Sequence, residues 1–219
     1  MMANQEEAVK SHSQLGQDVW VYNALGHKRG GYFVELGAGD GIELSNTYAL
    51  EKHFGWIGVC IECSRQFEAL RRNRRCACDS ACVSGADGES VVFLEDERYG
   101  EHNHFSGIKD KINCHQPSGK EYELKTKTLA TVLRQHNAPA VMDYLSLDTE
   151  GSELDILKAF PYQDFRFNCI TVEHNFQERE RAQILRLLEA NAYVRVEQRE
   201  WDDIYLHAEA LREIRARSG

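Results

Sequence analysis

Proline is scarce, with 3 in 219 residues, which excludes a chain built around long structureless linkers. No apolar stretch reaches the length of a membrane span, and the opening Met1 to Ser13 is polar, without a signal-peptide core. Positive charge is also short: 26 Lys and Arg against 35 Asp and Glu leave a net charge of −9. A phosphate backbone is then a poor main partner, and nucleic acid is not expected. The one basic run, Arg71-Arg72-Asn73-Arg74-Arg75, follows an apolar-periodic segment and reads as a solvated helix end, its cations complementing the helix dipole. Internal repeats are absent. The expectation is a cytoplasmic protein with no membrane association and with room for a homo-oligomer.

The length suits one ordinary domain with a real core and is too short for two large ones. Seven cysteines (Cys60, Cys63, Cys76, Cys78, Cys82, Cys114, Cys169) then read as reduced thiols. Cys60-x-x-Cys63 with Cys76-x-Cys78 suggests zinc, but most of these residues sit in short apolar runs where a small buried hydrophobe suffices.

Short apolar runs alternate with amphipathic stretches, the pattern of a mostly parallel sheet covered by helices. Residues 1–30 form an N-terminal helical segment packing on a domain that occupies 31–219. Helices are expected at Asp18 to Lys28, Ser45 to Phe54, Ser64 to Asn73, Leu129 to His136, Ser152 to Phe160 and Glu178 to Asn191. In the second of these Ser45 caps, and Leu44, Tyr48 and Phe54 mark the inner side. Strands are expected at Tyr32 to Leu36, Trp56 to Ile61, Cys76 to Val83, Ser90 to Leu94, Tyr122 to Lys127, Val141 to Leu147 and Phe167 to Glu173. Tyr193 to Gln198 with Asp203 to His207 close the chain as an antiparallel pair. From Glu95 to Ser118 the periodicity stops, and this long loop is the expected lid or substrate segment.

An apolar strand followed by Gly37-x-Gly39-x-Gly41 and a helix is the general form of a nucleoside- or phosphate-binding turn. A dinucleotide site wants its third glycine three positions after the second, where Ile42 stands. Glu35, just before the loop, would repel a pyrophosphate but suits the ammonium and sulfonium of S-adenosylmethionine. The second strand ends at Glu62, whose carboxylate can accept hydrogen bonds from both ribose hydroxyls or simply start the following helix. With the loop upstream, ribose binding is favoured.

Several phrases stand in order along the chain: Ser13-Gln14-x-Gly16-Gln17-Asp18, Gly31 through Gly41, Ser45-Asn46-Thr47 with Leu50-Glu51, Gly55-Trp56-x-Gly58-x-Cys60-Ile61-Glu62, Leu147-Asp148-Thr149-Glu150-Gly151-Ser152-Glu153, and Val172-Glu173-x-Asn175. As an ordered set they resemble the FkbM-type methyltransferases. The resemblance implies a single Rossmann-like α/β domain: a seven-stranded, mostly parallel sheet with an antiparallel last strand and helices on both faces. It also implies S-adenosylmethionine as cofactor and methyl transfer, most often to a hydroxyl of a sugar or natural product. The family often has proline where this chain has Cys63, and the 95–118 loop matches no family phrase, which leaves the acceptor open.

Open α/β sheets bind ligands at the carboxyl ends of their strands. The candidate cofactor residues are thus Glu35, Gly37, Ala38, Gly39, Asp40, Gly41, Glu62 and Cys63, with Ser45 and Asn46 orienting the methionine carboxylate at a helix start or merely capping it. Asp79 and Ala81 are placed to contact adenine. Asp148 serves cofactor or catalysis; Glu150 is either catalytic or a helix-start acid, and Glu153 is the latter. His174 is a candidate base for a hydroxyl proton or a plain strand-end histidine. Asp148, Glu173 and Asn175 would suit Mg2+. His102 and His104 have no assigned role. The rival readings are an NAD- or nucleotide-binding Rossmann enzyme and a non-catalytic scaffold that binds S-adenosylmethionine.

Overall fold

Runs such as Phe33-Val34 and Tyr144-Leu145 are apolar at consecutive positions, so both faces of their strands must be covered, and a sheet sandwiched between helices satisfies them. The computed structural model describes residues 10–98, 105–112 and 116–218. In chain order its elements are α1 (Gln17–Ala24), β1 (Tyr32–Leu36), α2 (Tyr48–Phe54), β2 (Ile57–Ile61), α3 (Phe67–Asn73), β3 (Ala77–Asp79), β4 (Cys82–Val83), β5 (Ser90–Asp96), β6 (Gly107–Ile108), β7 (Gly119–Lys127), α4 (Leu129–Gln135), β8 (Val141–Leu147), α5 (Glu153–Ala159), β9 (Arg166–Glu173), α6 (Glu178–Ala190), β10 (Tyr193–Arg199), β11 (Asp202–His207) and α7 (Ala208–Ser218).

The main sheet has seven strands in the order β10-β11-β9-β8-β1-β2-β3. Pairing is parallel from β9 through β3, and β11 runs antiparallel to both of its neighbours. Alternation splits the core in two. Val34, Leu36, Leu145, Leu147 and Ile170 pack on one side with α4, α5 and α6. Phe33, Cys60, Tyr144 and Cys169 pack on the other with residues of α1, α2 and α3. The order reverses between β1 and β8, and the crevice beyond their carboxyl ends is the topological switch point where ligands of such sheets sit.

Gly37 makes that close approach. Its φ is +75°, and a Cβ there would lie 1.9 Å from the Asp148 carbonyl oxygen. Gly37→Ala is therefore expected to cost about 2–4 kcal/mol in urea denaturation, the upper range for one substitution. A loss well under 1 kcal/mol would show that the β1 and β8 tips do not press together.

Several expectations are corrected. α1 ends at Ala24, four residues short of Lys28, where Gly26 takes a φ of +68°. α2 starts at Tyr48 because Ser45 to Thr47 bend back onto Glu35, and Leu44, expected inside, is 38% exposed. The run Cys76 to Val83 splits: β3 stays in the main sheet, while β4 joins a second sheet of order β4-β7-β5-β6. Part of the 95–118 loop is that sheet, since β6 pairs with β5. His102, His104 and Cys114 lie outside the described residues. The zinc pattern is dispersed: Cys76 Sγ lies 3.6 Å from Cys60 Sγ, whereas Cys63 packs against Cys82. No helix of the described residues is long and apolar enough to cross a membrane.

Candidate active site

A cavity of about 640 Å3 opens at the switch point. The β1 end of its wall includes Glu35, Gly37, Ala38, Ser45 and Asn46; the β2 side includes Glu62, Cys63 and Ala81; the β8 and β9 tips bring Asp148, Glu150, Glu173 and Asn175. Gly39, Asp40, Gly41, Asp79 and His174 are not in the wall.

The loop after β1 is held by its neighbour strand. Gly37 and Ala38 both donate their N–H groups to the Ile61 carbonyl at 3.1 Å, and Gly39 donates to Glu62 Oε2 at 2.9 Å. Glu62 Oε1 accepts from the Ser64 N–H at 2.8 Å. Two backbone donors thus aim this carboxylate. Burial raises its pKa above the ordinary carboxylate value. Asp40 turns inward on itself, its Oδ1 accepting from Ile42 and Glu43 N–H at 2.8 Å each, so it shapes the loop and touches no ligand space. Gly41 serves packing, since a Cβ there would meet Leu70 and Arg74 side-chain carbons at 2.6 and 2.7 Å.

Glu35 does not offer an open charge to a cofactor. Its carboxylate accepts from Ser45 Oγ, the Asn46 N–H and Thr47 Oγ1, and pairs with Arg74 Nη1 at 3.3 Å. The chain's own carboxylate fills the anion position that the sequence reading reserved for the methionine carboxylate at Ser45 and Asn46. Asn46 still faces the cavity: Nδ2 donates to Ser146 Oγ at 2.9 Å, and Oδ1 is buried with no partner among the described residues. That orphan acceptor fits a ligand N–H donor such as an ammonium group. The basic run is corrected here too. Arg74 is no solvated helix end; its side chain is 0% exposed, with Nε on Glu51 at 2.6 Å.

At the far end, carboxylates converge. Among the described residues, Asp148, Glu150 and Glu173 form the one group of three whose ligand oxygens lie within 4.8 Å of one another. Burial, then the facing carboxylates, push the Asp148 and Glu173 carboxyls well above their ordinary values. Asn175 points its amide nitrogen at Glu173 Oε2, 2.6 Å away, so it stands beside the cluster as a donor, and Glu150, not Asn175, is the third oxygen group of the cluster. Glu153 is the helix-start acid, accepting from Thr149 and Gly151 N–H groups. Backbone strain gathers on the same rim: Leu44, Glu150, Asn175 and Phe176 all have φ between +43° and +59°.

Two candidates turn away. His174 is buried behind β9; its Nδ1 accepts from the Phe176 N–H at 3.1 Å, and its Nε2 lies 3.9 Å from Asp203 Oδ1. Burial and Arg181 lower its pKa, and it has no access to an acceptor proton in the cavity. Asp79 pairs with His136 Nε2 at 2.7 Å and leaves only Ala81 at the wall. Asp202 and Gln17, which carry no local sequence signal for the site, also line the cavity, with Gln17 Nε2 donating to Asp202 Oδ2 at 2.6 Å. Gln17 belongs to the family-like phrase that ends at Asp18; Asp202 sits in an ordinary strand, and only the pairing of β11 beside β9 brings it to Glu173.

The sequence profile of the methyltransferase FkbM domain matches residues 35–214. The chain belongs to the FkbM methyltransferase family. Membership carries S-adenosylmethionine-dependent methyl transfer as the activity class. No curated protein sequence matches significantly. Among solved structures, the chain is similar to precorrin-6y C5,15-methyltransferase from Geobacter metallireducens GS-15 at 10% identity, covering 86% of each chain with a TM-score of 0.46. It is similar to a putative RNA methyltransferase from Pyrococcus horikoshii at 12% identity, covering 90% of this chain and 84% of that one, TM-score 0.45. A third is a SAM-dependent methyltransferase from Aquifex aeolicus at 10% identity, covering 89% and 93%, TM-score 0.41. At those levels the likeness concerns shape alone, and the FkbM domain match carries the assignment.

Proposed function

We propose that this FkbM protein methylates a hydroxyl oxygen of a small acceptor, with S-adenosylmethionine lying from Glu62 toward the carboxylates at the β8 and β9 tips. The observation that carries the reading is the placement of two anionic features in one cavity: the backbone-aimed Glu62 at one end and the Asp148, Glu150, Glu173 group at the other. The cofactor, when bound, supplies a methyl carbon already activated by its sulfonium, so the protein's task is alignment and management of the acceptor proton. Glu62 takes the ribose hydroxyls, Cys63 and Ala81 border the adenine, and Asn46 Oδ1 accepts from the methionine ammonium. Asp148, Glu150 and Glu173 suit a magnesium ion, which when bound would make a coordinated hydroxyl more acidic.

Two measurements test this. Chelation should abolish methyl transfer and added Mg2+ restore it; activity indifferent to chelator removes the ion and leaves a carboxylate as proton acceptor. Glu62→Ala should weaken S-adenosylhomocysteine binding by about 1.5–3 kcal/mol for each charged hydrogen bond lost, with the fold retained. Unchanged affinity by calorimetry takes Glu62 out of the ribose site. A response to NAD without one to S-adenosylhomocysteine would favour the dinucleotide reading instead.

A further inference from the structure

Several buried acids in this protein are met by cations, and Asp18 and Glu153, which are not, accept several hydrogen bonds instead. Glu35 has Arg74, Asp143 has Lys28, and Asp96 has Arg98. Asp203 has both Arg181 and Arg195. Its chain neighbour Asp202 is the contrast. It is 5% exposed and makes no ion pair among the described residues; Gln17 holds Oδ2, and nothing described holds Oδ1. It stands in register with Glu173, and the described wall of the cavity contains no Lys, Arg or His. A lone buried carboxylate beside others of like charge is costly unless something outside the chain supplies the cation.

The surroundings favour an organic cation. Trp201 adjoins Asp202 in the wall, and Phe176, 59% exposed at a φ of +56°, lines the same cavity. Aromatic faces beside a carboxylate are the usual setting for an ammonium group. Ser152, 1% exposed, adds to that wall a hydroxyl with no hydrogen-bond partner among the described residues, an acceptor awaiting a donor.

We propose that the acceptor carries a protonated amine or guanidinium beside its hydroxyl, seated on Asp202 with Trp201 and Phe176 alongside, and that phosphorylated or carboxylated acceptors are rejected. This rests on the cavity being the methyltransferase site and adds the substrate class. Protein saturated with S-adenosylhomocysteine is titrated calorimetrically with tyramine, with neutral 4-ethylphenol and with anionic 4-hydroxyphenylacetate. Tyramine should bind at least about tenfold tighter than either counterpart. Asp202→Asn, which keeps an oxygen for Gln17, should erase that preference while S-adenosylhomocysteine affinity stays near wild type and the melting temperature does not fall. Equal binding of the three probes, no tyramine binding, or an indifferent Asp202→Asn overturns the proposal. So does competitive displacement of tyramine by Mg2+ that the variant abolishes, since Asp202 would then be a metal ligand. If S-adenosylhomocysteine itself fails to bind, the cofactor reading falls as well, which separates the two failures.

Discussion

Arg74→Met should destabilise the protein by about 3–5 kcal/mol, the scale for removing one partner of a buried ion pair. The guanidinium is fully buried and spends its donors on Glu51, Glu35, Ser45, Thr47 and the Gly41 carbonyl. It also packs 5.3 Å from the Phe33 ring centre, so methionine fills much of the volume and the loss is chiefly electrostatic. Without it, Glu35 is a buried carboxylate facing only neutral donors. Adding Glu35→Gln to Arg74→Met should recover part of the loss, because contacting partners in one network are not additive. Chemical denaturation of the four species measures this. A single-variant loss under about 1 kcal/mol, or a double variant no better than Arg74→Met, would mean that Arg74 is not what compensates Glu35.

Asp148→Asn should move activity and stability in opposite directions. Methyl transfer should fall by about two to four orders of magnitude, the scale of lost electrostatic or proton-transfer help. Cofactor affinity should change far less. Stability of the unliganded protein should rise, since one of several repelling carboxylates is gone. The pH dependence has the matching sign. Carboxyls with pKa values raised by folding bind more protons folded than unfolded, so stability falls as pH climbs above the ordinary carboxylate range of about 4. Asp148 and Glu173 are both raised, and Asp202 is pushed to about 6, first by burial. The variant should flatten that slope. Wild-type turnover in Asp148→Asn with a verified acceptor removes it from the chemistry.

What the sequence made legible was local. Tyr32–Leu36 and Val141–Leu147 lie where their unbroken apolar runs place them. What it hid depends on tertiary pairing. Arg74 looks like its solvated neighbours until α3 lays it under Glu35. Residues 76–83 read as one strand because nothing local announces that Cys82 leaves the main sheet for β7. His174 sits beside Glu173, but alternation along the strand end sends the two to opposite sides. Asp202 reaches the site from the far end of the chain, and α7 (Ala208–Ser218) continues a strand without the break that would have announced it.

The most direct test of the central claim is a crystal structure of the protein with S-adenosylhomocysteine. The ribose hydroxyls should lie on Glu62, the adenine near Cys63 and Ala81, and the amino group within hydrogen-bonding reach of Asn46 Oδ1. The sulfur should face the Asp148, Glu150 and Glu173 carboxylates across the acceptor space. The ligand bound away from the β1–β8 crevice, or reversed with its adenine among those carboxylates, would contradict the account.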